Sequence, residues 1–404
     1  MAVVLLRLGG DPLTHIWAED GGIFLRGALN DTVAGALTTT YAGYSHLVPR
    51  LCAEFAALFP IEWAAAVLAL EGAAVTVLCA FVVWHVSAPH LPDRRLRGLL
   101  TAMVLLLPVV GFESLANVTN LQWFMLFASF WLLLWRPASW PAALAAGAFV
   151  ALTLASAPLA LLLTPLAVWR VARATRDRID MTIAAAFAVG AAIQLVAIVT
   201  DDSVQAASRW DWDLLPAYLV RVVAGLGLGH NADTGAWQLA PLPLLVVAGF
   251  AFAAVVAASF LRDIPGRAVS LVALALSVAL FLIPGYVRDA ALPLMWTDDY
   301  HGTYGARYAI LPALFLLAAV LIQLQTRPPG WTAAAWTRLR IGVVALLAAA
   351  AVTTFYVGDP GRRTVRWSDT IEQARLECRS GVAVATEVPV SWPDWRINLP
   401  CERL

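Results

Sequence analysis

Residues 15–29 read "HIWAEDGGIFLRGAL", with Glu19 and Asp20 adjacent between apolar neighbours and two glycines directly after them. A carboxylate in such surroundings is suited to take the proton from a hydroxyl as that oxygen attacks, which is the work of a general base. Adjacent residues on a helix or strand point in different directions, so one of the pair faces a pocket. Asp20 is the first choice and Glu19 the second. Gly21 and Gly22 permit either a sharp turn or a close backbone approach to a ligand. Further polar residues gather in "GFESLANVTNLQW" (111–123), "SRWDWD" (208–213) and "WTDDYHGTYGARY" (296–308). Arg307, Arg288 and Arg209 carry the planar fork that grips phosphate oxygens, with His301 as a second donor. Asp298, Asp299 and His301 offer oxygens and an imidazole to a divalent cation. Three polar residues in one loop do not make a ligand set, and no metal is expected.

The elements that must position these groups follow from composition. The chain is 61% hydrophobic and 13% charged, where soluble domains run nearer ~45–50% and ~25%. That is a polytopic membrane protein. All 27 basic residues are Arg, a coding bias that carries no function, and a net charge of zero excludes a nucleic-acid binder with a large basic face. Apolar segments predict spans near 62–86, 98–112, 121–135, 141–155, 158–170, 182–199, 239–260, 268–286, 307–325 and 341–357. The pair at 141–170 reads either as two short helices or as one long kinked helix. Segment 44–60, with Arg50, Glu54 and a closing Pro60, reads as an interfacial helix. Residues 1–10 hold too few apolar residues to cross ~30 Å of hydrocarbon. Either a first span precedes this start, or these residues only dip into the membrane.

Short Arg-rich connections at 89–98, 169–180, 261–267 and 326–340 belong in the cytoplasm by the positive-inside rule. The alternate loops, 11–61, 200–238 and 287–306, are acid-rich and therefore face outward, as does the tail. The expected fold class is all-α and polytopic, with about 10–11 transmembrane helices. The expected organisation is a helical domain over 1–357 with a small extracytoplasmic cap over 358–404. Cys52 and Cys79 lie in apolar helical context and pack as small hydrophobes. Cys378 and Cys401 lie in the outward polar tail, in an oxidising compartment, and are expected to pair.

Polar groups on one side of a helical bundle suggest a pocket at the outer leaflet, open to water and lipid, where lipid-linked phosphates reside. A transporter would instead place ionisable groups near the midplane, and the one carboxylate deep in an expected span is Glu71. An acidic first outer loop, an interfacial helix behind it, many spans and a clipped outer tail resemble the GT-C superfamily of integral-membrane glycosyltransferases. Many of its members carry a first-loop Asp with an aromatic four residues on, as Asp20 and Phe24 stand here. "NLQW" (120–123) and "GARY" (305–308) resemble actinobacterial members. Gly21 stands where a Glu often follows that Asp, which removes a metal ligand from the pattern, and the family's first transmembrane helix is nearly absent.

The resemblance implies sugar transfer from a polyprenyl-phosphate donor to an extracytoplasmic cell-envelope glycan, glycolipid or protein. The site would face outward on a bacterial plasma membrane, with no cofactor. Asn117, Asn120, Gln122, Trp123, Asp298, Asp299 and Tyr304 are then candidates for sugar or acceptor binding. Asn117, Asn120 and Gln122 serve equally well as helix-capping residues. A lipid or lipid-linked-sugar flippase without covalent chemistry is the alternative.

Overall fold

The computed structural model describes residues 1–173, 178–201, 210–287, 305–357, 365–379, 384–390 and 395–404. Among the described residues the secondary structure is helical apart from one two-stranded sheet and an isolated bridge between Tyr41 and Tyr44. Among the described residues six helices are long and apolar enough to cross a membrane: Ile61–Val86, Arg178–Thr200, Pro241–Leu261, Arg267–Val287, Arg307–Leu324 and Ala333–Thr353. The chain is a polytopic helical membrane protein.

The other expected spans form shorter helices, for identifiable reasons. Over 98–112 the helix is Arg94–Leu106. It stops before Pro108, because the residue preceding proline is disfavoured in helical geometry. Helices Leu121–Leu134 and Trp140–Leu154 are apolar but shorter than the six. The pair at 141–170 is two helices. After Trp140–Leu154 the Ser156 hydroxyl turns back onto Leu152 O at 2.8 Å, and a 3₁₀ turn, Pro158–Leu163, leads into Thr164–Arg173. Residues Ala2–Leu8 form one short helix, about 10 Å long at ~1.5 Å per residue. The interfacial segment forms helix Leu47–Ala56. It buries Val48, Cys52 and Ala56 and exposes Leu51 and Phe55, followed by exposed Leu58 and Phe59. That amphipathic division suits a helix lying along a membrane surface.

The chain divides into two compact units. The first comprises residues 1–78, 112–205 and 357–404. Its centre is Leu121–Leu134, in which every residue but Leu134 is buried. A helix apolar all round has no solvent face to offer and takes the middle. Helices Trp140–Leu154 and Arg178–Thr200 approach closely where Gly190 lies; a Cβ there would stand 2.5 Å from Ala151 O. Small residues at such crossings permit tight packing in lipid.

Within this unit, Arg170 is 4% exposed and closes the end of the central helix. Its Nη1 donates to Leu133 O at 2.9 Å and Trp135 O at 2.6 Å, its Nε to Asp180 O at 3.0 Å, and its Nη2 to Asp180 Oδ1 at 2.7 Å.

The C-terminal residues of the same unit form a cap. Helix Trp367–Arg379 is followed by strands β1 (Ala385–Pro389) and β2 (Arg396–Pro400), which pair antiparallel with Ala385 opposite Pro400 and Pro389 opposite Arg396. Thr386, Val388, Ile397 and Leu399 alternate inward along the two strands. A Cys378–Cys401 disulfide joins the cap helix to the end of β2, with Cα atoms 5.6 Å apart. Cys52 and Cys79 are free and buried. Trp367 ties the cap down twice: its N–H donates to Thr14 O at 2.8 Å, and its indole Nε1 to Ile61 O at 2.7 Å.

The second unit comprises residues 79–111 and 206–356. Its buried helix is Arg307–Leu324, which packs along Arg267–Val287. Several of the polar groups inside it bond one another, as burial favours. Tyr218 and Ser277 hydroxyls meet at 2.8 Å, Ser277 donates to Pro312 O at 2.6 Å, and Gln323 donates to Ser259 and Ser270 at 3.2 Å each. Asp93 accepts from Arg95 N at 2.9 Å, capping helix Arg94–Leu106, and pairs with Arg340.

Candidate active site

The first unit builds a polar cluster around Asp20. The carboxylate opens a π-helical turn, Asp20–Leu25, and is 1% exposed. Its Oδ2 accepts Val118 N at 2.9 Å; its Oδ1 accepts Thr119 N at 3.0 Å and the Thr119 hydroxyl. An ionised carboxylate offers about four acceptor positions. Among the described residues three are used, and the remaining one is on Oδ2. Burial pushes the Asp20 carboxyl up to about 6, against the three hydrogen bonds and with a smaller contribution from the neighbouring Glu19 charge. A carboxyl raised in this way by burial is a better proton acceptor than a solvated aspartate. Glu19, at the half-buried position before it, starts the same turn.

The loop that receives Asp20 is built from its own side chains. Glu113 O accepts Asn117 Nδ2 and Asn120 Nδ2, both at 2.7 Å. Asn117 Oδ1 accepts Asn120 N at 3.1 Å, and Asn120 Oδ1 accepts Trp123 Nε1 at 2.9 Å. Both asparagines thus act in shaping the loop and the start of helix Leu121–Leu134.

This loop rests on the first span at Gly72. A Cβ there would lie 2.8 Å from Asn117 N and 2.9 Å from Ala116 C. Both contacts are backbone, which cannot swing aside. Gly72→Ala should therefore displace the loop and remove the donors from Asp20. We expect a loss of about 1–3 kcal/mol in thermal stability, the range for overpacking in a tight contact; an unchanged unfolding midpoint would show that the loop is not seated there.

Phe24, four residues after Asp20, packs in an aromatic group whose other members, Tyr44 and His46, the sequence did not single out. Gln122 Nε2 donates to the Tyr44 hydroxyl at 3.3 Å. Tyr44 stacks on His46 with centroids 3.7 Å apart, and His46 lies 5.3 Å from Phe24. The Arg50 guanidinium sits 5.5 Å from the Phe24 centroid and donates to Ser45 O at 3.1 Å and Ala36 O at 2.8 Å. The stretch around Tyr44 and His46 reads in sequence only as the entry to an interfacial helix. Thr119 and Gly72 carry no sequence signal at all, because their roles depend on contacts with distant segments.

Backbone strain marks the same region. Among the described residues, the non-glycine positions with positive φ are Ala42 (52°), His46 (55°) and Ala116 (49°). Ala116 falls in the loop that holds Asp20, and Ala42 and His46 in the loop that packs on Phe24. Left-handed geometry costs an L-residue about 1–2 kcal/mol, and it persists where surrounding contacts impose it, commonly at functional sites.

The other sequence candidates are distributed differently. Arg307 begins helix Arg307–Leu324 in the second unit; it is half-buried, with its guanidinium 5.5 Å from the Tyr308 centroid. Arg209, Arg288, Asp298, Asp299, His301 and Tyr304 lie outside the described residues. Among the described residues no three His, Cys, Asp or Glu side chains converge as a metal site.

No protein-family model matches the chain, and no curated protein does. A crystal structure of ArnT from Cupriavidus metallidurans in the apo state aligns with 88% of this chain and 73% of that one, at 15% identity and a TM-score of 0.44.

Proposed function

We propose that the protein is an integral-membrane glycosyltransferase that moves a sugar from a polyprenyl-phosphate donor to an acceptor hydroxyl. The acceptor is a cell-envelope glycan, glycolipid or protein on the outer side of a bacterial plasma membrane. The observation that carries this reading is Asp20: a buried carboxylate held by Val118 N, Thr119 N and the Thr119 hydroxyl, with one acceptor position on Oδ2 not taken by the described residues. In the step, the acceptor oxygen forms a bond to the anomeric carbon while its proton passes to Asp20. The bond from that carbon to the phosphate oxygen breaks, and its electron pair leaves on the polyprenyl phosphate. Arg307, Arg288, Arg209 and His301 remain the candidates for stabilising that leaving charge. Gln122, Trp123, Asp298, Asp299 and Tyr304 remain the candidates around the sugar and acceptor, while Asn117 and Asn120, whose amides are engaged within the loop, act by shaping it.

The pH dependence tests this directly. A base must be deprotonated to work, and burial raises the Asp20 carboxyl to about 6. Turnover with a polyprenyl-phosphate sugar in nanodiscs should be flat above about pH 7 and fall about tenfold per pH unit below about 6. A limb at about 4, the range of solvated carboxylates, would remove Asp20 from the role. The stability sign is opposite to that of a salt-bridged aspartate. Because the folded protein holds this proton more tightly than the unfolded chain, burial of the charge costs stability above pH 6 and the cost vanishes as pH falls below about 4. Finding lipid-linked sugar moved across the bilayer without any covalent product would favour the flippase alternative.

A further inference from the structure

The C-terminal cap lies against the two residues that follow Asp20. A Cβ added at Gly21 would lie 2.8 Å from Val390 Cγ1 and 3.0 Å from Ile16 Cγ2. One added at Gly22 would lie 2.8 Å from Trp395 Cε3 and 3.1 Å from Arg396 O. Val390 and Trp395 are themselves joined, Val390 N donating to Trp395 O at 2.9 Å. Val390 is 2% exposed. A third tie lies just beyond the turn, where Asn30 Nδ2 donates to Asn398 O of β2 at 2.9 Å and to Arg26 O at 2.8 Å.

The other side of the cap is anchored elsewhere. Trp367 bonds Thr14 O and Ile61 O, Arg375 pairs with Glu62 at the head of the first span, and Thr370 Oγ1 donates to Pro389 O at 3.2 Å. The Cys378–Cys401 disulfide holds the cap helix to the end of β2. The π-helical turn is thus held twice. Asp20 is fixed by its side chain to Val118 and Thr119, and the backbone just after it is pressed by Val390 and Trp395.

We propose that Val390 and Trp395, clipped in place by the Cys378–Cys401 disulfide, are positioning residues for Asp20, acting through Gly21 and Gly22. This rests on the reading of Asp20 as the general base, and it gives the disulfide the role of holding the cap against the turn. Neither cap residue touches the reacting atoms. Their contribution is to prevent the turn from rotating the carboxylate away from the attacking hydroxyl. Misplacement on the scale of 1 Å is enough to cost about 10²-fold in rate. The two glycines are explained by the same contact, because any side chain at 21 or 22 would push the cap away.

The test has two arms on the full-length protein in nanodiscs. In the first, amide hydrogen exchange is measured over residues 16–26 in the wild type, in Val390→Ala with its disulfide intact, and in Cys378→Ser/Cys401→Ser. Exchange there should quicken about tenfold in both variants, while helix Leu121–Leu134 stays protected. Unchanged exchange at 16–26 when β1 and β2 themselves exchange faster would overturn the inference, whatever the activity.

In the second arm, sugar transfer by Val390→Ala should show kcat lowered about tenfold and donor KM within about twofold, the split expected when an interaction made only in the transition state is weakened. Gly21→Ala should be worse, and Gly21→Ala/Val390→Ala should recover most of that loss, because the smaller residue makes room for the added methyl. A double variant no better than Gly21→Ala would overturn the positioning role and leave the cap as scaffold only. Absence of turnover by the wild type with any polyprenyl-phosphate sugar would sink the glycosyltransferase reading instead, and the exchange arm would still decide whether the cap controls the turn.

Discussion

Asp20→Asn should lower sugar transfer by about 10²- to 10⁴-fold, the contribution typical of a positioned base, while the protein still purifies folded. The substitution preserves size and removes the charge and the basic lone pair. It also carries a local cost that a solvated aspartate would not. Oδ1 and Oδ2 both accept backbone N–H groups, from Thr119 and Val118. Whichever way the asparagine side chain is turned, its NH₂ meets a donor. The unmet hydrogen bond costs about 1–3 kcal/mol, confined to the loop and small beside the packing of the long helices. Turnover in nanodiscs, read together with the unfolding midpoint, separates the two effects. Wild-type turnover in a folded Asp20→Asn protein would exonerate Asp20 and leave its three hydrogen bonds as a purely architectural anchor.

The largest stability effect is expected far from that cluster in sequence, at Arg170. Truncation to Ala would strip the donors from Leu133 O and Trp135 O at the end of helix Leu121–Leu134, carbonyls that the helix itself cannot satisfy. Among the described residues it would also leave the Asp180 carboxylate, 6% exposed, with the exposed Arg136 at 3.8 Å as its ion-pair partner. Removing one partner of a buried ion pair costs about 3–5 kcal/mol. Arg170→Lys should recover only part of this, since a single ammonium cannot span the carbonyls and the carboxylate as the planar fork does. Thermal unfolding in detergent, followed by tryptophan fluorescence, provides the measurement. An Arg170→Ala midpoint within a degree of wild type would mean that the network is not closing the helix.

What was legible in the sequence divides along a physical line. Apolar continuity predicts spans at 62–86, 182–199, 239–260 and 268–286, and helices stand at Ile61–Val86, Arg178–Thr200, Pro241–Leu261 and Arg267–Val287. Hydropathy sets those boundaries locally, so a single sequence suffices. The last span starts earlier than expected, at Ala333, because Thr332 caps it by accepting Ala335 N at 3.1 Å and the helix runs through Arg338 and Arg340. The pairing of Cys378 with Cys401 was legible too, since both lie in one polar tail.

The neighbours of Asp20 were not. Val118 and Thr119 approach it from a loop about a hundred positions on, and Gly72 matters only because that loop lies against it. In sequence the glycine pair fits either a sharp turn or a close approach to a ligand. The structure places the cap's Val390 and Trp395 against it. Hydropathy carries no record of which distant segment will come to rest on a given backbone atom, and the asparagines at 117 and 120 were ambiguous for the same reason.

The tie between Asn30 and Asn398 spans 368 positions, and it has a consequence for how the protein matures. A ribosome adding about 5–20 residues per second needs roughly 20 to 70 seconds to get from one to the other. Through that interval the acidic turn has been synthesised, but the residues that clamp its far side do not yet exist. Nascent chains released before the last strand is made would therefore carry every long helix and still lack a finished turn, which couples completion of the site to completion of translation.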